Sequence, residues 1–440
     1  MFGVNMNFIK FALKKGADDV IIQRTLSEVK QVRFANNNIQ IFKNWNTETV
    51  RIFLASKKRI VSTIVFDVSE KNIKNNINNL IKYTKIIKPN QDYSGISEGP
   101  FRYKKIAKTF DRKIVNVNLL DITEKMINSA LENSKNTAGI VCTDVDKIKL
   151  ETSSNVSASE KSTAIKLSIR AFNKDEETGH AASCSRTLNS LQPEKIGRKA
   201  GEISKLAKNP EKFKSGKYDL MFDPLSAANL LSAVGGYSSA FFIDSGMSFL
   251  RGKIGKKVAN KKVTLIDSGT IANGYDSSSF DDEGVPTKNT KIIEKGVLKN
   301  FLHNTTTAKK YKTKTTANAG LIVPQPHNII LQKGKDSKEK LFKDFNGLYI
   351  TNLWYTRFQN HLKGDFSTIP RDGIFLIKNG EIIKSIKDIR ISDNLQRILE
   401  NIVNISNKPE WIIWWGLDFQ IPVFTPYFLV KDINITQSTM

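Results

Sequence analysis

Apolar positions recur at helical spacing from Asn7 to Lys15 and stop at Gly16, which predicts a short amphipathic helix. The period then drops to two. "DVIIQRTL", "VKQVRFA", "NIQIFKN", "TVRIFLA" and "RIVSTIVF" read as a meander of strands. A helical face returns with Ile73, Ile77, Leu80, Ile81 and Thr84, and Asp67 with Glu70 has the spacing of a capping box. The same order then recurs. Asp121 and Glu124 are spaced to cap a helix carrying Ile122, Met126, Ala130 and Leu131, and "GIVCT", "KIKLET", "TAIKLSIRAF" and "HAASCSRTL" continue as strands. Pro193 opens a helix with Ile196, Ala200, Ile203 and Ala207 inward. The pattern predicts two related α+β units, residues 1–92 and 113–212, joined near "PNQDYSGISEGP".

From about Gly216 strand-like runs dominate: "YDLMFDP", "KKVTLIDSGT", "KIIEKGVLKNFL", "HNIILQKG", "GLYITNLWY" and "TPYFLVKDINIT". "IFLIKNGEIIKSI" reads as a hairpin with Asn379-Gly380 at its tip, because both central positions of a type I′ turn need positive φ. Helices are expected only near Leu225 to Val234, Thr305 to Tyr311 and Leu395 to Asn404. Residues 216–440 are therefore expected to form a large, mainly antiparallel β-rich domain, which makes the fold class α+β.

A chain of 440 residues with 40% hydrophobic and 25% charged positions is globular in composition and too long for one core. The apolar stretch Trp411 to Phe424 is broken by Gly416, Asp418, Gln420 and Pro422 and falls short of the roughly 20 residues a membrane helix needs. With no apolar leader pattern at the N-terminus, the expected location is the cytoplasm, away from membranes. Two cysteines, Cys142 and Cys184, exclude a disulfide framework and read as buried small apolar residues.

The net charge of +25 raises nucleic acid as a partner. Lysine is spread along the whole chain, however, and no helix-turn-helix, zinc-finger or RNP pattern accompanies it, so no specific nucleic-acid binding is expected.

Several motifs mimic catalytic ones. "FFIDSGMS" and "TLIDSGTI" look like aspartic-protease loops, but Asp244 and Asp267 lie too close in one chain to cap separate lobes, and both read as turns. "GYSSA" is too degenerate for a nucleophile elbow. His180, His303, His327 and His361 are too far apart for any helix to present two imidazoles to a metal.

The segment from Asp281 to Gly320, "DDEGVPTKNTKIIEKGVLKNFLHNTTTAKKYKTKTTANAG", resembles the signature region of the TldD/PmbA family, and "GLYITNL", "KGDFS" and "FLIKNGEI" resemble its later blocks in the right order. The resemblance implies two N-terminal α+β units, a β-rich C-terminal domain, a hollow dimer and, in active members, peptide hydrolysis at zinc. Those members hold zinc with a His-Glu-x-x-x-His helix and a later cysteine, the Glu acting as base. Here the corresponding helix reads "AANLLSAVGGYSS", with Ser232 and Ala233 in place of His and Glu and Tyr237 near the second His, while Leu353 stands at the cysteine position.

The chain thus resembles the PmbA branch, also called TldE. The resemblance implies no metal or cofactor in this chain, zinc in a partner, and a TldD-like sister subunit or a second copy as that partner. Asp282, Glu283, Gly284, His303, Asn318, Gly364 and Asp365 are the candidate residues lining a peptide cavity. The alternative is that the acidic loop is a tight turn and the threonines are helix caps. Two other functions stay open: an autonomous hydrolase with an unrecognised site, and a basic nucleic-acid-associated protein.

Overall fold

In the computed structural model, which describes residues 5–437 apart from Asp418, the first half is one continuous sheet. Helix α1 (Asn5–Lys14) leads into β1 (Asp19–Ala35), β2 (Asn38–Ser56), β3 (Arg59–Val65) and α2 (Glu70–Thr84). After a one-turn α3 (Arg112–Val115) the order repeats: α4 (Leu119–Leu131), β4 (Asn136–Thr152), β5 (Ser157–Phe172), β6 (Thr178–Ser185) and α5 (Pro193–Leu206). The six strands join in the order β3-β2-β1-β4-β5-β6, all antiparallel, with β1 and β4 side by side from Ile21 opposite Thr152 to Ala35 opposite Ala138. Strand runs that look separate in the sequence are single long strands here, because polar positions such as Gln23 and Thr143 alternate without interrupting the ladder.

Alternation also explains what covers the sheet. Val20, Ile22, Ile52 and Leu54 face α1 and α2 together with Ile73 and Ile77, whereas their neighbours Ile21, Phe53 and Leu150 point to the opposite face and pack with Tyr93, Ile96 and Phe280. The second face therefore belongs to the junction with the C-terminal half. Neither predicted capping box forms. Ser69 is the N-cap residue of α2 and Asp67 instead accepts from the Ser69 amide, while Asn118 caps α4 and Asp121, inside that helix, pairs with Lys125. Helix α2 begins two residues later, and α4 three residues earlier, than the acidic pairs suggest, and burial sets the register.

The C-terminal half begins with β7 (Glu211–Lys212), β8 (Gly216–Phe222), α6 (Pro224–Tyr237) and α7 (Ala240–Asp244). It continues through β9 (Leu265–Ser268), β10 (Asn289–Glu294), β11 (Val297–Leu298), α8 (Thr305–Lys310), β12 (Ile329–Leu331) and α9 (Lys338–Phe342). The remaining elements are β13 (Gly347–Asn360), β14 (Asp365–Lys378), β15 (Glu381–Lys387), β16 (Ile389–Asn394), α10 (Leu395–Glu400), β17 (Ile402–Ile405), β18 (Glu410–Ile412), β19 (Val423–Thr425) and β20 (Phe428–Gln437). Strands β13, β8, β20, β16 and β14 pair in turn, and β14 pairs back to β13, closing a small barrel. A second sheet runs β11-β10-β9-β12-β19-β18. Helix α6 is apolar or small on every side and buried along its whole length, so it has no solvent stripe and packs against β12, β13, β18 and β19.

The architecture is α+β with large antiparallel sheets, as the periodicity predicts. The β14–β15 turn has Asn379 at φ 49° and Gly380 at φ 82°, both in the left-handed region that the hairpin requires. Asp244 terminates a helix rather than a strand, and the second Asp-Ser-Gly sits at the end of β9. Asp418, one of the breaks expected in the Trp411 to Phe424 run, and residues 1–4 of the N-terminal segment lie outside the described residues. Among the described residues no helix is long and apolar enough to cross a membrane.

Candidate functional site

The acidic loop Asp281 to Gly284 sits at the seam between the N-terminal sheet and the C-terminal half. Its backbone is held by the connector between the two N-terminal units: Ser97 Oγ donates to the Glu283 carbonyl (2.6 Å) and Tyr103 Oη to the Gly284 carbonyl (2.8 Å). Gly284 has φ +79°, and a Cβ there would lie 2.3 Å from Val156 Cγ1 in the β4–β5 turn, so only glycine closes this turn.

Each acidic side chain has a different task. Asp281 accepts backbone N–H groups from Glu283, Val285 and Ala319 at 2.9–3.0 Å, which ties the loop to the segment ending at Gly320. Burial nonetheless pushes its carboxyl up, to about 6, against those three donors. Asp282 pairs with Arg51 on β2 (2.8 Å), and its carboxyl is also raised by burial that Arg51 only partly offsets. Glu283 caps the first turn of α8 by accepting from the Thr305 amide (3.3 Å) and hydroxyl. Desolvation, reinforced by the nearby Asp281 charge, raises it to about 8, so it is largely protonated near neutral pH.

The segment His303 to Gly320 folds back on itself. Asn304 caps α8 reciprocally with Thr307, and the His303 backbone pairs with Thr316 in both directions. The His303 ring lies 3.2 Å from Thr307 Oγ1, and burial lowers it to about 4, which keeps it neutral. Asn318 donates to Asp267 (2.6 Å) and to the Gln325 carbonyl (2.9 Å).

Two cavities flank the loop. Glu283 borders one of about 150 Å³ with Tyr93, Phe53, Thr307 and Ile322. Asp281 and Asp282 border another of about 240 Å³, with Gln23, Arg51 and Arg186 from the N-terminal half and Asp276 and His327 from the C-terminal half. Gly284, His303, Asn318, Gly364 and Asp365 line neither. Gly364 and Asp365 form the tip of the β13–β14 hairpin, where Asp365 accepts from Asn394 (2.8 Å) and Gly364 packs on Phe249.

Arg51, Arg186 and Asp276 carry no sequence signal that joins them to the loop, whereas Asp267 reads only as a turn residue of "TLIDSGTI" and His327 only as a lone histidine. Asp267 accepts from the His327 amide (2.7 Å), and the His327 ring donates to the Ala317 carbonyl (3.0 Å). Asp276 keeps an exposed side chain among the residues lining the second cavity, and the carboxylates around the half-buried His327 raise its imidazole. The sequence signal that existed was "TLIDSG", which was read as a turn.

A second cluster mimics a serine-hydrolase triad. Ser168 Oγ lies 2.9 Å from His180 Nε2, with Asn352 and Asp372 behind the imidazole. Asn352 Oδ1 accepts from the Leu353 amide (2.8 Å), which turns its NH₂ toward Asp372 (3.1 Å) and His180 Nδ1 (2.8 Å). A donor facing Nδ1 puts the ring proton on Nε2, so His180 donates to Ser168 instead of drawing its proton. Burial lowers His180 to about 4 and keeps it neutral. The arrangement is a structural brace between the halves, and Arg170 closes it at 2.6 Å from Asp372.

Helix α6 presents a different picture. Ser232 Oγ donates to the Asn229 carbonyl (2.9 Å), and Ala233 and Leu353 are fully buried in the core. Tyr237 Oη lies 2.8 Å from His361 Nδ1, and its ring is packed edge-on by Phe242, Phe249, Phe358 and Phe419. A Cβ on Gly236 would meet the Phe419 ring at 2.3 Å, so the helix and this aromatic seat can approach only through glycine.

A family model described as the PmbA/TldA metallopeptidase C-terminal domain matches residues 215–437. The chain belongs to the PmbA/TldD family. A metalloprotease of Methanothermobacter thermautotrophicus is 32% identical over 290 residues, which cover 61% of this chain and 63% of that protein, so the match spans less than two thirds of that relative. TldE of Thermococcus kodakarensis has the same fold, with a TM-score of 0.87 at 22% identity over 98% of this chain and 99% of that one. A Thermotoga maritima protein described as a modulator of a DNA gyrase superposes with a TM-score of 0.86 at 24% identity, over 98% and 99% of the two chains.

Within this PmbA/TldD fold, the residues at the positions that the resemblance assigns to zinc do not fit the ion. Ser232, Ala233 and Leu353 offer neither imidazole, carboxylate nor thiolate, and the Tyr237 hydroxyl is engaged with His361. Among the described residues no three His, Cys, Asp or Glu side chains converge as a metal site.

Proposed function

We propose that this PmbA/TldD-family chain is the TldE-like subunit, without zinc of its own, of a cytoplasmic metalloprotease complex that processes peptides, paired with a His-Glu-x-x-x-His-bearing sister chain or with a second copy. The observation that carries this reading is the Tyr237 seat: the helix position that the family resemblance assigns to a metal ligand holds a phenol locked by His361 and four phenylalanines. The metalloprotease description of the Methanothermobacter relative and the fold shared with TldE support peptide hydrolysis as the family chemistry. In the complex the acidic loop and the segment after it would border the space through which peptide reaches the partner's metal.

The test combines elemental analysis of protein purified without an affinity tag with a peptide-hydrolysis assay, alone and after mixing with the sister chain. The expected result is no stoichiometric zinc, no hydrolysis alone, and a stable complex that hydrolyses peptide. One tightly held zinc per chain, or turnover by the isolated protein, would overturn the reading.

A further inference from the structure

A cavity of about 1480 Å³ shares no lining residue with the two cavities at the acidic loop. It lies between the outer face of α5, helix α9, the tip of the β14–β15 hairpin and the loop at residues 406–410. Its floor is aromatic, with Phe342 and Phe424 partly exposed and Tyr349 and Tyr427 more deeply set. Leu206 and Ile382 are exposed beside that floor with no apolar cover.

Its charge is lopsided, with seven lysine and arginine side chains along the lining against four glutamates. The innermost lysine, Lys199, is spent on Asp223 (3.0 Å) and Glu410 (3.2 Å). Lys338 lies over the aromatic floor, its Nζ 4.8 Å from the Tyr427 ring centre and 5.5 Å from that of Phe342. Lys195, Lys333, Lys343 and Lys408 remain exposed around the rim.

An apolar floor under a cationic rim is complementary to a ligand that carries both apolar side chains and carboxylates. The volume exceeds the roughly 300–1,000 Å³ typical of small-molecule sites, which favours a chain segment over a compact molecule. We infer that this groove is a docking site for a peptide in which apolar and acidic side chains are interleaved, the former seated on Phe342, Tyr349 and Tyr427 and the latter paired with the rim lysines. The groove is separate from the acidic loop, so it can capture such a peptide whether or not the chain takes part in hydrolysis.

Two labelled short peptides serve as probes, one alternating glutamate with phenylalanine and leucine, the other with lysine in place of each glutamate. Fluorescence anisotropy at physiological salt is expected to show the acidic peptide bound about tenfold or more tighter than the basic one. Lys195→Glu combined with Lys343→Glu should weaken it by about tenfold, since two rim charges change sign. Phe342→Ala should weaken it severalfold with the rim charge intact. Circular dichroism melting checks that each variant is folded, and Lys333→Glu with Lys408→Glu reads the opposite rim should the first pair not fold. Equal binding of the two peptides, indifference to both charge-reversed pairs, or displacement by a single-stranded oligonucleotide that binds more tightly than the acidic peptide would each overturn the inference.

Discussion

Glu283 shows how far a side chain's role depends on what surrounds it. In the sequence it is one acid of three in "DDEG"; folded, it is buried beside Asp281 and its carboxyl is raised from its ordinary value to about 8. The native state therefore binds a proton that the unfolded chain releases at lower pH. The stabilisation is complete below the ordinary glutamate value and is lost as pH rises through about 8. Urea unfolding should accordingly show stability falling between roughly pH 5 and pH 8, and Glu283→Gln, which mimics the protonated form and can still accept from Thr305, should flatten that fall while leaving stability at pH 5 nearly unchanged. An unaltered slope in the variant would remove Glu283 as its source.

Among the helices, α6 depends on the residue that begins it. Asp223, itself buried, accepts from the Leu225 amide (3.1 Å), from the half-buried Lys199 (3.0 Å) and from Tyr349 Oη (2.9 Å). Burial acts to raise its carboxyl, but Lys199 and the helix N–H more than offset this, and it stays below its usual value. Asp223→Ala removes the cap and leaves Lys199 half-buried with Glu410 alone, a loss of about 3–5 kcal/mol. Asp223→Asn keeps an acceptor for the cap and should cost less. Chemical denaturation of the two variants checks the order. The helix was legible near Leu225 to Val234, but its Asp223 cap and its complete burial were not, because small residues such as Ala227, Ala228 and Gly235 reveal nothing of what packs around them.

For the protein as a whole, the +25 net charge is dispersed, and many lysines serve local pairs such as Lys310 with Asp92 and Asp244, and Lys387 with Glu176. Nucleic-acid binding should therefore be non-specific, with dissociation constants on the order of 10⁻⁴ to 10⁻⁶ M at physiological salt, and should weaken steeply as salt rises. Filter binding with two unrelated duplexes over a salt series tests this, and nanomolar preference for one of them would contradict it.

Period and turn chemistry were enough to read the α+β class, the twice-repeated helix–strands–helix order and the Asn379-Gly380 hairpin, because these depend on neighbours a few residues apart. The site was legible only in part. Asp282, Glu283 and His303 were picked out only through the family resemblance of their segment, and Arg51 on β2, Ser97 in the connector and Asp267 on β9 join that segment only because the sheet folds against the C-terminal half. The same holds for the union of both N-terminal units in one sheet through β1 and β4, for Tyr237 meeting His361, and for the large groove under α5. Each is a contact between segments tens to hundreds of residues apart, and local patterning carries no information about which distant surfaces will bury one another.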